Sequence, residues 1–149
     1  MKHLIPFIML LLLVSMTGCA TTEPVPGPRF TSPDLIVGRT WGWEKTVTPV
    51  EFFDVASPER YTLQVSVDGK ISIKFDCNSG SVDYKIVDGA IQVLKADLTK
   101  QECHAGNKML AGHFVQQLQQ VTNYYVQDGR LHLAKPDNGV TMQFKELKP

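Results

Sequence analysis

The sequence predicts an α+β domain that is mainly β: a curved antiparallel sheet, a meander with hairpins, wrapped around one amphipathic helix. Three observations support this fold class. Asp-Gly or Asn-Gly pairs, which tolerate the positive φ angles of tight hairpin turns, occur at 68–69, 88–89, 128–129 and 138–139. Apolar and polar residues alternate between these pairs, as in strands with one buried face. A single stretch, 107–121, has the spacing of a helix instead.

The strands follow one another along the chain. The first covers residues 39–47, RTWGWEKTV, and places Trp41 and Trp43 on one face. Residues 54–60 are predicted to form a loop. Every second residue is then apolar in four short segments, which predicts four half-buried strands at 61–67, 71–75, 82–86 and 91–93.

The helix is predicted from a change of period. Apolar residues recur at spacings of four, four and three, and glutamines fill most of the positions between Leu110, Phe114, Leu118 and Val121. This stripe is typical of a helix of about four turns that faces a core. Strand character returns over residues 123–146, where His132 lies between two leucines and is predicted to be solvated on the outward face.

The N-terminus is predicted to be a lipoprotein signal peptide, residues 1–18. Lys2 precedes an apolar stretch of eleven residues, 4–14, which fits an export signal and is too short for a membrane span of about 20 residues. Met16, Thr17 and Gly18 then resemble a bacterial lipobox, which predicts that Cys19 is acylated, for example with palmitate. The alternative is an ordinary secretory signal cleaved near Ala20.

Residues 19–34 are predicted to be a lipidated, proline-rich tether, and residues 35–149 a single domain. Three acyl chains would give stable anchoring at Cys19. Because Ala20, and not aspartate, follows that cysteine, we expect an outer-membrane lipoprotein with its domain in the periplasm. Prolines at 24, 26, 28 and 33 would keep the tether extended.

Composition limits the partners. The chain has 15 basic and 15 acidic residues, and neither sign is clustered, so nucleic acid is not an expected partner. We expect a monomer. No cofactor motif and no set of acid, base and nucleophile is found, so neither a cofactor nor an enzymatic activity is expected.

The three cysteines are best explained by export. Lipidation accounts for Cys19, and in an oxidising compartment Cys77 and Cys103 are expected to form a structural disulfide. A reactive thiol at Cys77 is less favoured because Asp76 precedes it. A zinc site built from these residues with His104 and His113 is the weaker alternative, since it would sacrifice the disulfide.

Four stretches resemble the META domain family, to which HslJ-like heat-shock lipoproteins belong. They are the strand with Trp41, DGKISIKFDCNSGS at 68–81, ADLTKQEC at 96–103 and HFVQQLQQVTNYYVQDGRLHL at 113–133. The resemblance implies a curved antiparallel sheet around one helix and provides no catalytic residues. This sequence departs from the family pattern where Asp76 replaces the usual glycine before Cys77.

These features favour a non-enzymatic binding or stability module for envelope integrity or stress tolerance. Its partner would be an envelope protein or peptidoglycan, and the candidate partner-binding residues are Asp76, Asn78, Ser79 and Trp43. The alternative function is a periplasmic inhibitor of a cell-wall hydrolase such as lysozyme. That function needs an exposed rigid loop, for which CNSGS at 77–81 is the candidate.

Overall fold

The computed structural model describes residues 29–103 and 107–148. The predicted signal peptide, Cys19 and the first part of the predicted tether lie outside the described residues. One α-helix, α1, and nine strands are described, together with short 3₁₀ helices at Pro33–Leu35, Pro58–Arg60 and Pro136–Asn138. The bounds of the strands and of α1 are β1 Thr40–Val47, β2 Phe52–Asp54, β3 Tyr61–Val65, β4 Lys70–Phe75, β5 Asn78–Val87, β6 Ala90–Leu98, α1 Lys108–Leu118, β7 Asn123–Gln127, β8 Arg130–Lys135 and β9 Val140–Leu147.

The predicted fold class is confirmed in its coarse form, since the described chain is an antiparallel sheet with one α-helix. The curvature of the sheet goes further than predicted. β1 pairs with β9 as well as with β3, so the sheet closes into a barrel of eight strands in the order β1, β3, β4, β5, β6, β7, β8, β9. The short strand β2 pairs only with the second half of β1.

Two of the four predicted turn pairs form two-residue hairpin loops for the predicted reason, whereas the pairs at 68–69 and 138–139 lie in longer connections, residues 66–69 and 136–139. Asp88 and Asp128 have φ angles of 52° and 51°, and the glycine after each is also in the left-handed region, so two residues reverse the chain. The alternation of apolar and polar residues places one face of each strand inside the barrel. In β4, for example, exposed and buried residues alternate along the whole strand. The interior contains Trp41, Trp43 and Phe144, each no more than 1% exposed.

The helix closes one end of the barrel. Asn107 caps it, because its side-chain oxygen accepts a hydrogen bond from the backbone N–H of Leu110 at 3.0 Å. Phe114 is fully buried, with its ring centroid 5.4 Å from that of Trp43. Burial of such a side chain stabilises the fold by about 1.5 to 3 kcal/mol. The prediction of a sheet wrapped around the helix is confirmed in part, because the sheet closes into a barrel and α1 lies over the opening where β4 ends and β5 begins. We call this the helix end.

The N-terminal segment, residues 29–38, crosses the opposite end, which we call the turn end. Phe30 exchanges two backbone hydrogen bonds with Val126 on β7, and the N–H of Gly38 donates to Val65 on β3. β3 and β7 are four strands apart in the closed order, so the segment spans the opening. Ile36 is fully buried there. The predicted tether residues 29–34 are therefore held against the barrel.

Within residues 29–103 and 107–148, α1 is too short to cross a membrane, and no helix qualifies as a span.

Candidate functional site

The turn between β4 and β5 contains three of the four residues predicted to bind a partner. Asp76 has a φ angle of 64°, and its side chain is 1% exposed and accepts a hydrogen bond from the Arg60 guanidinium. Asn78 is 8% exposed, because its side chain is directed at the segment after β6. Ser79 is the exposed member of the set.

Two expectations about this region are corrected. Trp43 cannot contact a partner, because it is fully buried and its indole N–H donates to the Thr46 hydroxyl at 3.2 Å inside the barrel. The stretch CNSGS is not a free loop, because β5 begins at Asn78 and pairs with β4 from that residue. The chain reverses through Asp76 and Cys77 alone.

Cys77 and Cys103 form a disulfide with their Cα atoms 5.6 Å apart, which is the pairing that the sequence predicts. Both sulfurs that the alternative zinc site needs are therefore used, and His104 lies outside the described residues. Among the residues that are described, no group of three or more His, Cys, Asp or Glu side chains is arranged to hold a metal ion.

Two of the depressions at the helix end lie on opposite sides of α1. An apolar cleft of about 190 Å³ lies between α1 and β2, and a groove of about 320 Å³ lies between α1 and the strands β8 and β9. His113 lines both, so α1 forms a ridge between them. The ring of His113 contacts that of Phe53 edge-on, with the centroids 6.0 Å apart.

The apolar cleft is a candidate binding surface that the sequence did not reveal. It is lined by Phe53, Asn107, Met109, Leu110 and His113. Met109 is 81% exposed, although methionine is usually buried. Met109 lies one residue before Leu110 and therefore outside the apolar stripe that packs on the core. An apolar residue outside that stripe is the signal in the sequence that could have identified the cleft.

The groove on the other side of α1 combines amide side chains with an apolar floor. Its lining residues are Gln116, Gln117, Gln120, Val121, Leu133, Lys135, Asn138, Val140 and Met142, with His113 at the ridge. Gln117 is held in place from the core, since its Oε1 accepts a hydrogen bond from the buried Thr46 hydroxyl at 3.0 Å. The groove therefore offers fixed donors and acceptors beside apolar contact.

The hairpin between β1 and β2 adds exposed apolar residues at the same end. Val50 is 90% exposed and Phe52 is 67% exposed, while Val47 is opposite Phe52 in the pairing. A single exposed apolar residue is ordinary, but several on one short hairpin beside an apolar cleft are typical of a contact surface.

A polar patch lies on the outer wall of the barrel. Burial alone would raise the pKa of Glu44, but hydrogen bonds from Arg130 and Gln143, together with the positive charges of Arg130 and Lys45, lower the pKa below its ordinary value. His132 stacks on Tyr125 with the ring centroids 4.6 Å apart. It faces outward as predicted, but it is partly buried and is not the solvated residue that we expected.

His132 is predicted to make stability depend on pH. Burial, reinforced by the positive charges of Arg29 and Arg130, lowers the pKa of His132 from 6.5 to about 4, and the opposing effects of a hydrogen bond with the Gln127 backbone and of the charge of Asp128 are weaker. Between those values the unfolded chain binds more protons than the folded chain, so stability falls as the pH drops from 6.5 to 4.

The measurement is the melting temperature from pH 4 to pH 7 for the wild type and His132→Gln. The wild type should lose more stability on acidification than this variant, which cannot titrate at that position. Parallel curves for the two proteins would contradict the prediction.

The family model described as META domain matches residues 35–149. The chain belongs to the META domain family. None of the curated proteins matches the chain.

Two solved structures are similar to this META domain chain. The first is the NMR structure of a protein from Burkholderia xenovorans, with a TM-score of 0.69 and 20% identity over 89% of this chain and 98% of that chain. The second is the crystal structure of a DUF4847 family protein from Bacteroides vulgatus, with a TM-score of 0.57 and 10% identity over 78% of this chain and 97% of that chain. At these identities the likeness shows the fold alone.

Proposed function

We propose that this META domain chain is a non-enzymatic outer-membrane lipoprotein that binds an envelope protein through its helix end, in the service of envelope integrity or stress tolerance. The observation that carries the proposal is the pair of depressions on the two sides of α1. The apolar cleft of about 190 Å³ has room for one large apolar side chain, and the amide-lined groove of about 320 Å³ can accept polar backbone groups. A polypeptide segment supplies both chemistries.

The position of the N-terminal segment supports this choice of occupant. The described chain begins at Arg29, whose guanidinium lies over the ring of Tyr125 near the turn end. If Cys19 is lipidated, the tether joins the domain at the end opposite to α1. The helix end would then face away from the membrane, where it meets soluble or peptidoglycan-bound proteins instead of lipid.

The alternative function, inhibition of a cell-wall hydrolase, depends on a free loop at CNSGS, and the structure has no free loop there. An inhibitor of that kind inserts an exposed rigid loop into a cleft, but CNSGS is part of the β4–β5 pairing. The envelope-binding function is therefore the one that the geometry supports better.

The test replaces Met109, which is 81% exposed in the cleft, with glutamate. The matched control is Val67→Glu, because Val67 is 88% exposed in the loop between β3 and β4 at the turn end. In a strain that lacks the chain, we expect the control to restore resistance to heat and detergent and Met109→Glu to fail, with both proteins folded and equally abundant. A charge in an apolar cleft opposes burial of a partner side chain.

Crosslinking identifies the occupant. A photoreactive amino acid at position 109 should yield an adduct with an envelope protein, and the same group at position 67 should not. An adduct that is destroyed only by a peptidoglycan hydrolase, or one that is a dimer of this chain, would overturn the choice of partner. Full complementation by Met109→Glu would overturn the proposed use of the helix end.

A further inference from the structure

The disulfide at the helix end is open to reagents on one side. Cys77 is exposed in the turn between β4 and β5, whereas Cys103 is partly buried after β6. An incoming thiolate can therefore approach the Cys77 sulfur more easily than the Cys103 sulfur. Which sulfur is attacked, and how well the other leaves, decides the course of thiol–disulfide exchange.

Two N–H groups are directed at the sulfur that would leave. The backbone N–H of Cys77 donates to Cys103 Sγ at 3.4 Å, and Asn78 Nδ2 lies 3.5 Å from the same sulfur. The corresponding distance from Asn78 Nδ2 to Cys77 Sγ is longer, 3.7 Å. Donors of this kind stabilise a negative charge, so they favour a thiolate at Cys103 more than one at Cys77.

Asn78 is fixed in the orientation that this requires. Its Oδ1 accepts hydrogen bonds from the Gln101 backbone N–H at 2.7 Å and the Thr99 hydroxyl at 2.9 Å. Its Nδ2 also donates to the Gln101 carbonyl at 3.1 Å. Because both ends of the amide are held, the donors need no rearrangement when charge develops on the sulfur.

The surrounding charges do not distinguish the two sulfurs. A cavity of about 290 Å³ beside Cys103 is lined by two cations, Lys100 and Lys108, and by two carboxylates, Asp76 and Glu102. Lys108 pairs with Glu102 at 3.3 Å, and Asp76 pairs with Arg60. The preference for Cys103 as the leaving group therefore rests on the two N–H donors and on the greater exposure of Cys77.

We propose that the Cys77–Cys103 bond is a site of thiol–disulfide exchange in the folded protein, with a dithiol protein as its partner. A thiolate of the partner attacks Cys77 Sγ, a mixed disulfide forms, the Cys77–Cys103 bond breaks, and Cys103 leaves as a thiolate held by the two N–H donors. The second thiol of the partner then attacks the mixed disulfide and releases Cys77. The partner is oxidised to its disulfide, and this chain is reduced by the same two electrons.

This assignment goes beyond the proposed binding function and does not depend on it. The disulfide joins the β4–β5 turn to the segment that leads to α1, so its reduction removes the covalent link between those elements. The sequence alone predicts only a structural disulfide. The geometry adds that Cys77 is the sulfur that is attacked and Cys103 the sulfur that leaves.

The first test traps the mixed disulfide with glutathione as the probe thiol. The full chain with Cys19→Ala, which leaves no third thiol, is exposed briefly to reduced glutathione, quenched in acid, alkylated and analysed by peptide mass spectrometry. We expect glutathione on Cys77 and the alkyl group on Cys103, with an excess of about threefold or more over the reverse arrangement. Equal labelling, labelling mainly on Cys103, or no adduct until circular dichroism shows unfolding would overturn the proposal.

The second test compares two single-cysteine proteins, Cys77→Ser and Cys103→Ser, in the same Cys19→Ala background. The pH at which iodoacetamide alkylation reaches half its maximal rate should be lower for the remaining Cys103 than for the remaining Cys77. Because each rate is compared with its own maximum, the different exposure of the two residues does not affect the result. The opposite order would contradict the proposed leaving group.

The variant Asn78→Ala tests the contribution of the Asn78 Nδ2 donor, and the neighbouring Ser79→Ala is its control. In folded protein the control should keep the preference for Cys77, whereas Asn78→Ala should lose most of it. An unchanged preference in Asn78→Ala would remove this residue from the mechanism.

Discussion

The Cys19→Ala variant is expected to leave the membrane fraction and become a soluble protein. The apolar stretch at 4–14 is too short to serve as a permanent span, so attachment depends on the acyl chains at Cys19. Each buried CH₂ contributes about 0.8 kcal/mol, and loss of all the chains removes the whole of that binding energy. Fractionation of cells, followed by a salt wash of the membranes, measures the effect.

A second substitution separates lipidation from sorting. Ala20→Asp leaves the cysteine intact, so this variant should stay bound to membrane but move to the inner membrane in a density gradient. Cys19→Ala protein that still sediments with outer membranes after the salt wash would show that the lipobox interpretation is wrong.

If Cys19 is lipidated, the point at which the tether joins the barrel decides which end of the domain faces away from the membrane. The N-terminal segment is bound across the turn end by Phe30 and Gly38, so a pull on the tether acts there and leaves α1 untouched. The helix end, with its cleft and its disulfide, would project from the membrane on the far side of the barrel. If the proposed lipidation of Cys19 is correct, the proposed binding surface and the proposed exchange site both lie where a periplasmic protein could approach them.

Local signals in the sequence identified most of the elements of the fold. The Asp-Gly pairs at 88–89 and 128–129 need only their own backbone preferences to make turns, and the stripe through Phe114 needs only the helical period. Barrel closure has no such local signal. It depends on pairing of β1 with β9, where Arg39 and Glu146, 107 residues apart, form an ion pair at 2.9 Å. Such long-range pairing is a property of the assembled sheet.

The candidate site was harder to predict for the same reason. Trp43 was assigned to a partner because aromatic residues are common at interfaces, but only the closed barrel decides which face of β1 is inside. Phe53 and Met109 meet across a cleft that exists only once β2 and α1 are docked. The disulfide was predictable because the compartment, and not the geometry, decides it.

Replacement of both disulfide cysteines, Cys77→Ser with Cys103→Ser, is expected to cause a large loss of stability. The bond closes a loop with a sequence separation of 26 residues. In the chain-entropy model the constraint on the unfolded chain is worth about 3 to 4 kcal/mol. At about 4 °C per kcal/mol for a domain of this size, the melting temperature should fall by roughly 12 to 16 °C.

The origin of that loss can be checked in urea. If the bond acts mainly on the unfolded chain, its removal lets that chain expand, and the m-value should rise together with the fall in midpoint. The wild type melted in the presence of a dithiol should behave like the double variant, and Cys19→Ala alone should melt like the wild type. Membrane attachment should be retained in the double variant, because the anchor and the disulfide use different cysteines. A double variant that melts within about 2 °C of the wild type would show that the disulfide is not a structural constraint, which would leave the proposed exchange chemistry as its role.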